Sequence, residues 1–156
     1  MRLHIIRHGK AEDLSLQKKD FDRDLSTEGV EQIKLLNNYF SSTLGVSSVW
    51  CSSANRTKQT YSGIKSLVEG AEIHFHEDFY LCKRDFLLSK IWSNPNKGDL
   101  LIIGHNFGIS QLAAYLLDEP IELATSEYIS IDFDTENWEE ISNGTGTIHD
   151  RFRPLN

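Results

Sequence analysis

Two histidines and two arginines stand out because each closes an apolar run or follows a break between elements. Arg7-His8-Gly9 ends one run, Ser52-Ser53 leads into Arg56, and Gly104-His105-Asn106 ends another. Arginine presents a planar fork that stays protonated and suits bidentate contact with a phosphoryl group. Neutral histidine is a nucleophile toward phosphorus when one ring nitrogen is free and the other is tied to a backbone carbonyl. These types suggest a pocket between Arg7, Arg56 and His105, with His8 attacking. His105 is expected to be protonated beside a dianion, where it would stabilise charge on the non-bridging oxygens. Gly9 is expected to let the chain fold back close to the His8 ring. Singly, each segment has a plainer reading: a hydrogen-bonded structural histidine, or a solvated arginine on a helix. Only the convergence of the three segments at one edge of one sheet points to a phosphate site.

Convergence depends on the elements. Residues 2–7 read as a buried strand, with further strands at 47–51, 72–76 and 99–103. Helices alternate with them. One begins at an N-cap Ser26, with Leu25 and Val30 spaced as a hydrophobic staple and a stripe of Val30, Ile33, Leu36 and Phe40. A second carries Tyr61, Ile64, Leu67 and Val68, a third covers 84–93, and a fourth carries Ile109, Leu112, Ala113 and Leu116. Beyond Pro120 two more strands are predicted, roughly 126–133 and 137–142, before an irregular end. The alternation implies a single three-layer α/β/α domain over residues 1–156, with a mostly parallel central sheet. Such sheets bind ligands beyond the carboxyl ends of their strands. All three candidate segments lie at such ends, and the helix starting near Ser53 would add an N-terminal dipole.

The formal charge of −7 over 156 residues leaves no basic stripe for nucleic acid or an anionic membrane, so any anion site must be local. No apolar stretch approaches the ~18 residues of a membrane span, and MRLHIIRHG lacks the features of an export signal. Cys51 and Cys82 match no zinc or redox spacing. A cytoplasmic monomer is expected, with Asn143-Gly144-Thr145 a turn.

Arg7-His8-Gly9 resembles the signature of the histidine phosphatase (phosphoglycerate mutase-like) superfamily. The helix approach Arg23-Asp24-Leu25-Ser26-Thr27-Glu28-Gly29 is similar to the family's R-P-L-T-x-x-G. Ser52 to Thr60 resembles S-P-x-x-R-A-x-Q-T, and Gly104-His105-Asn106 resembles G-H-N/Q. The short length, the lack of an inserted cap, Phe79-Tyr80-Leu81 and Ala124-Thr125-Ser126 resemble the SixA-type phosphohistidine phosphatases. The resemblance implies a hydrolase without metal or other cofactor. His8 would be phosphorylated and the phosphohistidine intermediate then hydrolysed by water, with Arg7, Arg56 and His105 holding phosphate. A phosphohistidine-bearing protein is the implied substrate, because an uncapped cleft suits a protein-borne phosphate.

The departures concern rigidity and proton donation. Asp24 and Ser53 stand where the family pattern has proline, which should alter loop rigidity more than chemistry. Phe107 replaces a common proline, and Lys10 places a further donor at the rim. The glutamate that many relatives use to protonate the leaving oxygen has no clear counterpart; Glu77, Asp78 and Asp85 are candidates, with solvated surface positions as the plain alternative. That gap disfavours alkyl phosphates and matters less for a labile P–N bond. Three rivals remain. A small-ester phosphatase and a non-catalytic phosphoprotein-binding module use the same pocket. A metal site at His74 and His76 lacks a completing cluster, and histidines on the exposed face of a half-buried strand account for it better.

Overall fold

The computed structural model describes residues 1–155. Six strands form one sheet: β1 (Arg2–Arg7), β2 (Ser48–Ser52), β3 (Glu72–His76), β4 (Leu100–Gly104), β5 (Tyr128–Phe133) and β6 (Gly146–Phe152). Their order is β3-β2-β4-β1-β5-β6. The first four are parallel, while β5 runs antiparallel to β1 and β6 antiparallel to β5. Helices α1 (Thr27–Tyr39), α2 (Asn55–Ile64), α3 (Arg84–Trp92) and α4 (Gly108–Leu117) complete the layers. The α/β, phosphoglycerate mutase-like expectation is met. No helix is long and apolar enough to cross a membrane among the described residues.

Strand alternation sorts the two cores. Leu3, Ile5, Leu100 and Ile102 join a cluster with Leu87, Leu88 and Ile91 of α3 and Leu112, Ala113 and Leu116 of α4. Ile6, Leu101 and Ile103 point the other way, to Ile33 and Leu36 of α1 and Ile64 of α2. Strands buried on both faces therefore read as unbroken apolar runs. Ser26 caps α1 by accepting from the Gly29 amide. Val30 of the predicted stripe is instead half exposed, in a shallow groove shared with Leu25 and Gln59.

The C-terminal region departs from the reading. Residues 138–140 form a short 3-10 turn, and the final strand lies later, at Gly146–Phe152. Trp138 and Ile141 are core residues that anchor this turn, which gave the segment its apolar signature without sheet pairing. The alternating exposure of β6 is weak because it is an edge strand, largely uncovered along Thr147–His149.

Candidate active site

Register brings the three segments to one level. Arg7 pairs with Gly104 across β1 and β4, and Cys51 pairs with Ile103 across β2 and β4. His8, Ser53 and His105 thus leave the sheet side by side, with β4 central. The His8 and His105 rings lie 5.1 Å apart.

His8 Nδ1 donates to the Gly9 carbonyl at 2.7 Å. That bond assigns the proton to Nδ1 and leaves Nε2 as the lone-pair nitrogen, which accepts from Arg56 Nε at 3.2 Å. Burial, reinforced by Arg56 and Arg7, lowers the His8 pKa to about 3, so the ring is neutral at physiological pH. The chain at Gly9 does fold back onto the His8 ring, as the 2.7 Å contact shows. Gly9 also faces α1: a Cβ there would stand 3.0 Å from the Gly29 carbonyl and 3.1 Å from Leu25, so these neighbours would have to give by a few tenths of an ångström.

Arg56 is almost wholly buried in the first turn of α2. Arg7 donates from Nη1 to the Leu123 carbonyl at 2.9 Å, while its buried Nε has no protein partner. His105 shares a 2.7 Å bond between Nε2 and Ser52 Oγ, and its buried Nδ1 is unpartnered. Burial, with further contributions from His8 and Arg56, pushes its pKa down to about 2. His105 is therefore neutral in the ligand-free protein, next to two arginines that already supply positive charge; its expected protonation concerns the site with a dianion bound. The structure thus brings Arg7, half-buried, together with the buried His8, Arg56 and His105.

It does not bring the suggested proton donors there. Asp85 has an 80% exposed side chain and pairs with Arg84 at 2.8 Å. Glu77 is exposed, and Asp78 faces Lys90 at 3.7 Å and His76 at 4.0 Å. All three belong to the outward face of the 77–85 segment. Lys10 is tied to Glu28 at 2.6 Å. The carboxylate at the pocket is Asp20, which sequence reasoning passed over. It lies in a 3-10 turn, Asp20–Asp22, and accepts from Arg56 Nη2 at 3.2 Å, from Arg23 Nη2 at 2.7 Å and from the Tyr80 hydroxyl. Partial burial opposes ionisation, yet the Tyr80 and Arg23 hydrogen bonds and the Arg56 charge hold its pKa at about 2. Tyr80 also sets its ring edge-on to His105 at 5.5 Å. The polar stretch around Asp20 has no periodicity to mark it; its three-residue spacing to Arg23 is the sole local signal.

Asp24, standing where the family pattern has proline, accepts from Lys18, Asn55 and Gln59, and so ties the loop to α2 through polar contacts. On β3, His74 meets Glu72 at 3.3 Å, whereas His76 stacks on Phe79 at 4.3 Å and is mostly covered, unlike the exposed pair expected. Among the described residues no group of three or more His, Cys, Asp or Glu is disposed to hold a metal ion.

A family model, the histidine phosphatase superfamily (branch 1), matches residues 3–80. The chain belongs to this superfamily. A chloroplastic protein of Arabidopsis thaliana, itself uncharacterized, is 30% identical over 89% of this chain and 69% of its own length. Among solved structures, one assigned as the phosphohistidine phosphatase SixA of Agrobacterium tumefaciens superposes with a TM-score of 0.81. It is 20% identical and covers 98% of this chain and 97% of its own. The protein histidine phosphatase SixA complexed with tungstate gives a TM-score of 0.77 at 22% identity, covering 99% and 97%. These similarities identify a SixA-like fold, and membership of the superfamily supports phosphatase chemistry.

Proposed function

We propose that this chain is a phosphatase that removes a phosphoryl group from protein phosphohistidine through a covalent intermediate on His8. The observation that carries the reading is the 2.7 Å bond from His8 Nδ1 to Gly9, which leaves Nε2 unprotonated beside Arg56. In the first step Nε2 attacks phosphorus and the bond to the substrate nitrogen breaks. Arg7, Arg56 and His105 hold the non-bridging oxygens. In the second step water attacks phosphorus and the P–Nε2 bond breaks with its electron pair returning to Nε2, so that inorganic phosphate leaves carrying the protons of the water and neutral His8 is regenerated. The His105 proton balance shifts as the dianion arrives, since an adjacent negative charge favours imidazolium.

The state of Asp20 favours a phosphoramidate over an alkyl ester. With a pKa near 2 it is ionised and has no proton to give an alkoxide. An imidazole leaving group needs less help, because its P–N bond is labile. Turnover of a phosphohistidine-bearing protein should therefore exceed that of sugar and nucleotide phosphates, and the protein should acquire an acid-labile, base-stable phosphoryl label. Preference for the ester panel would replace the substrate reading; phosphopeptide binding without label would indicate a binding module.

A further inference from the structure

Glu127 is a carboxylate with no exposed surface, yet it is fully hydrogen-bonded. Arg151 Nε donates to Oε1 and Arg153 Nε to Oε2, each at 2.7 Å, and the Ala124 amide donates to Oε2 at 2.7 Å. Both arginines come from the C-terminal end of the chain and remain partly exposed. Arg153 also donates from Nη2 to the Glu122 carbonyl at 3.0 Å.

The Ala124 amide and the Leu123 carbonyl are the two ends of one peptide plane. The far end of that plane accepts Arg7 Nη1 at 2.9 Å and Asn106 Nδ2 at 3.0 Å. The Leu123 carbonyl is thus the protein acceptor that aims the Arg7 guanidinium, whose Nε is unpartnered. The same turn supports the Arg7 and His8 backbone: Arg7 N donates to Glu127 O at 3.1 Å, and Ser126 N contacts the carbonyls of Arg7 at 3.0 Å and His8 at 3.1 Å. Taking a charge out of water is costly, and apolar replacements of buried ion pairs are often neutral or stabilising. An ionic clamp here therefore makes more sense as geometric control of one peptide plane than as a source of stability.

We propose that Glu127, clamped by Arg151 and Arg153, is a positioning residue that orients the Leu123–Ala124 peptide plane and through it Arg7. The inference rests on Arg7 holding phosphate, as in the function proposed above. Rotating the plane would swing the Leu123 carbonyl away from Arg7 Nη1 and release the guanidinium from its present orientation.

A double-mutant cycle between Glu127→Gln and Arg7→Ala tests it, read as the Kd of tungstate and as the split between kcat and KM. Glu127→Gln should weaken tungstate binding on the order of tenfold in the wild-type background and leave it unchanged once Arg7 is alanine. Equal losses in both backgrounds, or a Kd within twofold of wild type, would overturn the clamp. If Glu127→Gln does not fold, Arg153→Gln takes its place, since Arg153 is half exposed and grips the same Oε2, with the same expected coupling. Arg7→Ala with unaltered tungstate affinity would instead sink the phosphate pocket itself, and the clamp with it.

Discussion

Asp20 grips Arg56 twice, with its backbone carbonyl 2.7 Å from Nη1 and its carboxylate 3.2 Å from Nη2. The same guanidinium reaches His8 Nε2 through Nε. A phosphate dianion entering between His8 and Arg56 must compete with the Asp20 carboxylate for the guanidinium. Asp20→Asn should therefore tighten competitive inhibition by inorganic phosphate by about threefold, the scale of a partly exposed charge pair. Weaker inhibition at constant ionic strength would mean that Asp20 chiefly positions Arg56.

Arg56 is expected to be worth more. Arg56→Ala should lower kcat/KM by about 10²–10³, or roughly 2.7–4 kcal/mol, the range for losing one preorganised donor at developing charge. Arg56→Lys should recover little, because an ammonium cannot span His8 and Asp20 with one planar fork. Steady-state kinetics of the two variants decide this, and full rescue by lysine would show that charge alone matters.

His8→Ala should abolish turnover and the phosphoryl label while the protein stays folded. The side chain is only 8% exposed, but it lies at the sheet edge rather than within either apolar cluster. Circular dichroism and label incorporation measure the two halves separately. Retained turnover would exclude His8 as nucleophile.

Acid should destabilise the fold through its buried histidines. Burial is the main cause that lowers the pKa of His4 to about 4, His8 to about 3 and His105 to about 2, from the ordinary histidine value of 6.5. Between pH 6.5 and those values the unfolded chain binds protons that the folded chain refuses. Their stabilising contribution is complete above about pH 6.5 and falls as pH drops, by up to ~1.4 kcal/mol per unit for each histidine. Urea unfolding from pH 7.5 to 4.5 should show the decline, with a shallower slope in His105→Asn. A flat profile would refute the shifts.

Gly29 is the point where α1 meets the segment after His8. A Cβ at this position would stand 2.1 Å from the Lys10 carbonyl and 2.9 Å from its amide. Gly29→Ala should cost about 1–3 kcal/mol, as overpacking typically does. Because Gly9 carries the carbonyl that orients His8, turnover should fall with stability. Denaturant unfolding and kinetics on one preparation check both.

Arg7, Ser52 and Gly104 could be placed at strand ends from sequence because each terminates an apolar run, a local property set by the two-residue period and by burial on both faces. His8, Arg56 and His105 followed from those ends and from the chemistry of their side chains. The tertiary structure decided what surrounds them. Strand order set β4 between β1 and β2 and so brought His105 to His8, a matter of packing between segments that local periodicity does not encode. Asp20 reaches Arg56 across 36 residues and Tyr80 reaches Asp20 across 60, from two short 3-10 turns with no repeat to read. Glu127 depends on arginines 24 and 26 residues later, Arg151 on an edge strand whose exposure hid its pattern and Arg153 just beyond that strand. Residue types, their place at strand ends and the family resemblance marked His8 as the candidate nucleophile and Arg7, Arg56 and His105 as candidate phosphate ligands; long-range contacts, which follow from the global packing of the chain, determined what surrounds and orients them.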